Sequence, residues 1–272
     1  MRVGFIGLGS QGGPMARRIA ESGHPTTLWA RRASSLEPFA DTRAATADSP
    51  ADLAARSDLV CLCVVGDDDV REVLTGERGV LAGLAPGSIV AVHSTVHPDT
   101  CRALAETAAA QQVSLIDAPV SGGGPAAAAG TLLVMAGGAT EAVERARPVF
   151  ETYANPIVHL GDVGAGQATK LLNNLLFTAN LSTAMSTLTL GKALGISPDR
   201  LGEVITHGTA NSFALGRITA AGGTLDRLAQ HAGDLLRKDV GLVARLAETA
   251  GVDPGIVLDA ADATLALMDR TR

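Results

Sequence analysis

A chain of 272 residues is long enough for one large domain or two moderate ones with real hydrophobic cores. Charged residues make up 18% of it and hydrophobic residues 46%, which is a globular composition and not a disordered one. The net charge of −6 and the aromatic content of 3% argue against a nucleic-acid partner, because such proteins usually present a basic face and stacking rings.

Short apolar runs alternate with amphipathic stretches over the first 160 residues. The runs that predict strands are RVGFI, PTTLW, DLVCLCVV, SIVAVH, VSLID, TLLVMAG and PIVHL. Helix-like segments lie between them at 13–22, 50–56, 98–111 and 140–151. This alternation predicts βαβ units and a mostly parallel α/β sheet, and strands that are apolar throughout suit a sheet covered on both faces.

Only helical periodicity remains from about residue 165 onward. The first helix is predicted to run from about 165 to 194, and Ser197-Pro198 and Asp253-Pro254 are typical of later helix starts. The uncharged run from 171 to 191 is long enough to cross a membrane, but its asparagines would be penalised in lipid. We therefore expect a helix buried in protein, and no membrane association.

The three cysteines do not form a disulfide framework. Cys61 and Cys63 alternate within one apolar strand, which indicates two core thiols on one face. A metal pair would need further ligands, and none lies nearby in the sequence, so no metal is expected. The N-terminus shows no separate cleavable apolar segment, and we expect a cytoplasmic protein.

A glycine motif follows the first predicted strand. Gly7, Gly9 and Gly12 have G-x-G-x-x-G spacing, which suits a tight turn, close approach of a pyrophosphate and packing of the following helix. The free N–H groups at that helix start would bind the phosphates. The sequence therefore predicts a Rossmann-type dinucleotide-binding domain, with these residues in contact with the cofactor: Gly7, Leu8, Gly9, Ser10, Gln11 and Gly12.

The end of the second strand bears on the choice of dinucleotide. NAD sites usually have an acidic residue there, whereas this chain has Ala30, Arg31 and Arg32 and no carboxylate before Glu37. An arginine pairs well with a 2′-phosphate, so we expect NADP(H) with Arg31 as the main contact, NAD remaining possible. The alternative is that both arginines are exposed loop charges.

GAGQATKLLNN, at 164–174, places Lys170, Asn173 and Asn174 on one narrow face of a helix. This face is either solvated or the position of a buried lysine that handles protons. Free lysine has a pKa of about 10.4, and burial near a second cation would lower that value toward neutrality.

Five motifs together resemble the β-hydroxyacid dehydrogenase family, which includes 3-hydroxyisobutyrate dehydrogenases and tartronate semialdehyde reductases. They occur in the family's order over nearly the whole chain: GLGSQGGPMA, HSTVHP, DAPVSGG, GAGQATKLLNN and RKDVGL. The change from alternating strands and helices to helices alone, together with the resemblance, predicts an NADP-binding domain at 1–162 and an all-α C-terminal domain for substrate and oligomerisation at 163–272, entered through one long helix.

The resemblance also implies roles for individual residues. Lys170 would be the catalytic acid/base, and Thr95 would lie by the nicotinamide. The remaining implied contacts are to substrate at Ser121, Gly122, Gly123, Asn174 and Lys238, and to the cofactor at Val64 and Val65. The glycine run at 122–124 could instead be a flexible turn, and Lys238-Asp239 could be a solvated surface step.

Several positions depart from the family pattern. Gln11 replaces a usual methionine, Ala30 replaces an asparagine, and no phenylalanine precedes Lys238. The last change would enlarge or polarise the substrate pocket, so the particular hydroxyacid stays open.

The expected function is hydride transfer between NADP(H) and a small β-hydroxyacid or its semialdehyde. One alternative is an imine reductase, although those enzymes usually lack the lysine found here at position 170. Another is a non-catalytic dinucleotide-binding module. The leucine-rich helices favour a homodimer or homotetramer.

Overall fold

The computed structural model describes residues 1–272, which form two compact units, Met1–Lys170 and Leu171–Arg272. The first unit contains a six-stranded sheet in which all strand pairs are parallel, as the alternation of apolar runs and helices predicted. Its strands are β1 (Val3–Ile6), β2 (Thr26–Trp29), β3 (Ala45–Thr46), β4 (Leu59–Leu62), β5 (Ile89–Val92) and β6 (Ser114–Asp117), in the spatial order β3-β2-β1-β4-β5-β6.

The last three strands of the first unit form a separate sheet. They are β7 (Val120–Ser121), β8 (Leu132–Ala136) and β9 (Ala154–His159), with β7 antiparallel and β9 parallel to β8. The helices of this unit are α1 (Gly12–Glu21), α2 (Pro50–Ala55), α3 (Asp67–Thr75), α4 (Pro98–Ala109), α5 (Gly123–Ala129) and α6 (Thr140–Phe150).

Helices α3 and α5 were not predicted from the sequence. Three aspartates occupy the first turn of α3, where they interact favourably with the positive end of the helix dipole. The run of alanines after Pro125 supports α5, although the glycines before it suggested only a loop.

Two hydrophobic clusters lie on opposite faces of the parallel sheet. Side chains alternate along each strand, so Phe5 and Cys61 enter one cluster while Ile6 and Leu62 enter the other. Cys63 packs against the same cluster as Cys61, which confirms the interpretation of both thiols as core residues. Burial raises the pKa of the Cys63 thiol to about 12.

The second unit is helical throughout, as predicted. Helix α7 (Ala165–Ala193) begins within the first unit and continues into the second, which also holds α8 (Pro198–His207), α9 (Phe213–Ala220), α10 (Asp226–Ala250) and α11 (Ile256–Leu267). Buried hydroxyls join α7 to α11: Thr264 Oγ1 donates to the Thr178 carbonyl, and Ser182 Oγ donates to the Ala260 carbonyl at 2.7 Å.

Two expectations for the helical part differ from the structure. Helix α11 begins at Ile256 and not at Pro254, because Asp253 accepts the N–H of Gly255 and Gly255 has a positive φ of 61°. The expectation that α7 is buried holds for only part of it, since Leu172 and Leu176 are more than half exposed while Leu171 and Leu175 are buried.

None of the helices is both long and apolar enough to cross a membrane.

Candidate active site

The loop between β1 and α1 has the backbone geometry that a dinucleotide phosphate requires. Gly7 has a positive φ of 101°, and a Cβ there would lie 2.1 Å from the Cys63 carbonyl oxygen. A Cβ at Gly12 would lie 2.0 Å from the Gly7 carbonyl oxygen, so only glycine allows α1 to start this close to the strand. A Cβ at Gly9 would meet nothing within 4 Å, so this backbone is open to approach by a pyrophosphate.

Gln11, in the same loop, carries a hydrogen-bond donor that the protein itself does not use. Its side-chain Nε2 is buried and has no hydrogen-bond partner. An unpaired buried amide is costly, so an acceptor oxygen from a bound molecule would stabilise it. The open Gly9 backbone and this buried amide together fit a bound dinucleotide, whereas the Gly13 N–H at the start of α1 is already bonded to the Gly9 carbonyl.

A second glycine segment packs directly on this loop. Gly122 and Gly123 have positive φ values of 129° and 76°, and they bring the chain from β7 into α5. A Cβ at Gly124 would lie 2.7 Å from the Ser10 carbonyl oxygen. Gly124 is therefore required by the close approach of the two loops, whereas Gly122 and Gly123 are favoured by their positive φ, and Ser121 precedes them at the end of β7.

Arg31 lies just past β2 and is held by carboxylates that the sequence reading did not anticipate. Its Nη2 is 2.6 Å from Asp69 Oδ1 and 3.1 Å from Glu72 Oε2, both on α3. The hydrogen bond to Asp69 raises the pKa of the Arg31 guanidinium above its ordinary value. The guanidinium is half exposed and remains charged at every physiological pH.

The loops that follow β4 and β5 are tied together. Val64 donates its N–H to Ser94 Oγ at 2.8 Å, while the neighbouring Val65 is largely exposed. Gln167 of α7 is fully buried; its Nε2 donates to the Ser94 carbonyl, and its Oε1 accepts the Val96 N–H. Thr95 lies between these two anchored residues.

The start of α7 is fixed by a buried carboxylate at the end of β6. Asp117 is completely buried and accepts the N–H groups of Gly164 and Gln167, each at 2.7 Å. Burial raises the pKa of this carboxyl, and the two N–H donors oppose the shift. Asp117 thus caps the helix and has a structural role.

Lys170 follows Gln167 by three residues on α7 and is 8% exposed. The solvated-face interpretation of this lysine is therefore wrong. Because Asp117 and Gln167 fix the first turn of the helix against β6 and the loop of Thr95, the position of Lys170 is set within the first unit.

The predicted residues of the helical unit form a local network around Asp239. Asn174 donates from Nδ2 to Asp239 Oδ2 at 2.6 Å, and Asn174 Oδ1 accepts from Asn173. Lys238 Nζ lies 3.2 Å from Asp239 Oδ1, an ion-pair contact without hydrogen-bond geometry. Asp239 is buried, so this step of α10 is not a wholly solvated surface.

Three residues of this arrangement were missed as site residues: Gln167, Asp239 and Asp69. Gln167 and Asp239 lie inside the quoted GAGQATKLLNN and RKDVGL motifs, so their positions beside the two lysines were a usable signal. Asp69 is separated from Arg31 by 38 residues, and no local pattern joins the two.

His93 and His97, on either side of Ser94 and Thr95, both make structural contacts. His93 is buried, with Nδ1 2.7 Å from the Ala118 carbonyl oxygen and Nε2 3.2 Å from the Tyr153 hydroxyl. Burial lowers the pKa of His93 to about 4. His97 accepts the Asp99 N–H and caps α4.

The parallel sheet and its glycine loop define a Rossmann-type dinucleotide-binding domain. Two family models match: residues 2–161 fit the NAD binding domain of 6-phosphogluconate dehydrogenase, and residues 164–270 fit the NAD-binding region of NADP-dependent 3-hydroxyisobutyrate dehydrogenase. The chain belongs to the β-hydroxyacid dehydrogenase family.

Individual relatives agree with this assignment. The chain is 36% identical to the 3-hydroxyisobutyrate dehydrogenase of Pseudomonas aeruginosa over 78% of this chain and 72% of that protein. A solved 3-hydroxyisobutyrate dehydrogenase from Mycobacterium tuberculosis with L-serine has a TM-score of 0.86 and 28% identity, covering 99% of both chains.

An imine reductase from Streptomyces aurantiacus has a TM-score of 0.70, covers 99% of this chain and 98% of its own, and is 21% identical. That likeness shows a shared fold alone.

Proposed function

We propose that this chain is an NADP(H)-linked dehydrogenase or reductase of a small β-hydroxyacid, with Lys170 as the general acid/base. The observation that carries the proposal is a lysine that is 8% exposed, on a helix whose first turn is fixed by Asp117 and Gln167. Lysine is among the residues least often buried, and a buried lysine near a cofactor-binding loop is a candidate for proton transfer.

The proposed reaction needs one proton carrier. When bound, the nicotinamide accepts or supplies a hydride at the carbinol carbon. Lys170 removes the hydroxyl proton as the alcohol is oxidised, and returns it to the oxygen when the carbonyl is reduced. Fixing α7 restricts where the amine points, which favours proton transfer over exchange with bulk water.

The substrate carboxylate is proposed to bind at Ser121, Gly122 and Gly123. A hydroxyl and exposed backbone N–H groups without bulky side chains suit an anionic oxygen pair. Asn174 and Lys238 are proposed substrate contacts on family resemblance, and Asp239 orients both side chains within their own unit.

The preference for NADP over NAD is proposed from Arg31 and from the absence of an acidic residue at the end of β2. The glycine loop is proposed to contact either dinucleotide through Leu8, Gly9, Ser10 and Gln11. Val64 and Val65 are proposed to line the cofactor pocket, and Thr95 to lie by the nicotinamide. Domain roles follow: 1–162 binds cofactor, and 163–272 contributes to substrate binding and oligomerisation.

Imine reduction and cofactor binding without turnover are the competing functions. Neither function requires a buried amine at position 170. The nitrogen of an imine substrate is itself basic and can carry the proton, and a protein that only binds the cofactor transfers no proton. The buried lysine therefore favours the hydroxyacid reaction.

A substrate panel tests the proposal. NADP⁺ and NAD⁺ are each supplied with 3-hydroxyisobutyrate, L-serine, glycerate and threonate, and the reverse reaction is run with semialdehydes and one cyclic imine. Turnover of a β-hydroxyacid with a lower KM for NADP⁺ supports it. Turnover of the imine alone, or none with any compound despite dinucleotide binding, contradicts it.

A further inference from the structure

The carboxylates of Asp69 and Glu72 occupy the guanidinium proposed to bind the 2′-phosphate. Both contact the same nitrogen, Nη2 of Arg31, at 2.6 and 3.1 Å. Asp69 is the less exposed partner, at 28% against 72% for Glu72, so its charge is screened less by solvent.

The charge balance of this cluster opposes a second anion. Arg31 alone offers one positive charge to a phosphate, whereas Arg31 with the two carboxylates is a group of net charge −1. A 2′-phosphate carries up to two negative charges, and it must either bind the remaining guanidinium N–H groups close to both carboxylates or displace the carboxylates from Nη2. A 2′-hydroxyl meets neither cost, because it is neutral and can donate to a carboxylate.

We propose that Asp69 and Glu72 of α3 determine how strongly this chain prefers NADP over NAD, by competing with the 2′-phosphate for Arg31. The inference rests on the proposed dinucleotide-binding function and concerns only the choice between the two cofactors. Asp69 and Glu72 act as specificity residues that moderate the preference Arg31 creates.

The test is a fluorescence titration of the full-length protein with NADPH and with NADH, without substrate. Asp69→Asn should tighten NADPH binding by about three- to tenfold, Glu72→Gln by less because its side chain is more exposed, and NADH binding should stay unchanged or weaken. The gain should diminish as salt is added.

Asp68→Asn is the matched control. Asp68 precedes Asp69 on the same helical turn, is fully exposed and pairs with Arg71 at 3.7 Å. The Asp68→Asn substitution therefore removes one negative charge without removing a contact to Arg31. Arg31→Ala provides the second control, since the gain from Asp69→Asn should shrink to less than twofold in that background.

Three results would overturn the inference. Asp69→Asn could match Asp68→Asn, it could weaken NADPH binding, or its gain could persist in full without Arg31. In each case the wild-type protein still binds both dinucleotides, so the failure concerns the inference and leaves the proposed function unaffected. A wild-type protein that binds neither dinucleotide would instead refute the proposed function.

Discussion

His93 is a buried histidine among aromatic rings, where charging it is unfavourable. Its ring is stacked on Phe5 and lies edge-on to Phe150 and Tyr153. Its pKa is lowered from 6.5 to about 4 by burial, so the folded protein binds this proton less readily than the unfolded chain. His93 therefore contributes stability that is present above pH 6.5 and lost as the pH falls toward 4.

The free energy of unfolding should fall by about 2 kcal/mol between pH 7 and pH 5 because of His93 alone. Chemical denaturation at both pH values measures this loss in the wild type and in His93→Gln, which keeps a donor and an acceptor without titrating. Between pH 7 and pH 5, the free energy of unfolding of the variant should fall by about 2 kcal/mol less than that of the wild type. An equal loss in both proteins would assign the pH dependence to other groups.

At Gly9, a substitution is expected to weaken cofactor binding without lowering the stability of the fold. Because a Cβ there meets nothing within 4 Å, Gly9→Ala should leave the thermal midpoint nearly unchanged. It should weaken dinucleotide binding by about tenfold or more, since the methyl group would lie where the pyrophosphate approaches.

Gly12→Ala is the contrasting variant for that measurement, because its Cβ would collide with the Gly7 carbonyl oxygen and lower the stability itself. Binding that is unaffected by Gly9→Ala would argue against a pyrophosphate at this loop.

At the scale of elements, the position of α7 depends on Asp117. In Asp117→Asn, the single side-chain oxygen can accept only one of the N–H groups of Gly164 and Gln167 in this geometry. The side-chain NH₂ group then faces the other N–H group, and two donors meet without an acceptor. We expect the free energy of unfolding to fall by about 2–3 kcal/mol. The exposed Asp162, just before the helix, is the control: Asp162→Asn should change stability by less than about 0.5 kcal/mol.

The activity of Asp117→Asn gives a second readout at that position. Misplacing α7 should lower kcat through Lys170 and leave the Kd for the dinucleotide unchanged. A variant as stable and as active as wild type would show that Asp117 does not position the helix.

Periodicity and turn chemistry explain how much of the fold was predictable. Strands such as LVCL and helices such as α4 and α7 have strong local signals, and their predicted bounds agree within a few residues. The separate sheet of β7–β9 was not foreseen, because pairing between distant strands leaves no local pattern. Helix α5 was missed for a different reason, since glycines at its start resemble a loop.

The parts of the candidate site that lie within contiguous sequence motifs were predictable from the sequence. Lys170 and the glycine loop lie in contiguous motifs, and their burial and backbone geometry agree with what those motifs require. The pairing of Arg31 with Asp69 depends on how α3 packs beside the end of β2, which no local spacing encodes.

At the scale of the whole molecule, an apolar stripe on α7 remains exposed in the single chain. Leu172, Leu176 and Leu190 lie within about 40° of one another around the helix, Leu194 lies in the turn just after it, and each of the four is more than half exposed. We propose that a second copy of this chain covers the stripe, in a dimer or tetramer.

Light scattering on a sizing column tests this assembly. Leu190→Glu combined with Leu194→Glu should shift the protein to the monomer mass, because charges buried in an interface without partners are strongly unfavourable. Val158→Glu, at an exposed position on β9, is the control and should leave the mass unchanged. A monomeric wild type would contradict the proposal.

The account depends most on Lys170, and the decisive measurement is single-turnover hydride transfer from a β-hydroxyacid to NADP⁺ by Lys170→Ala. We predict a rate about 10²- to 10⁴-fold below wild type with an unchanged Kd for the dinucleotide. Lys192→Ala, at the other end of the same helix, should keep the wild-type rate. A Lys170→Ala variant that transfers hydride at the wild-type rate would contradict the proposed chemistry.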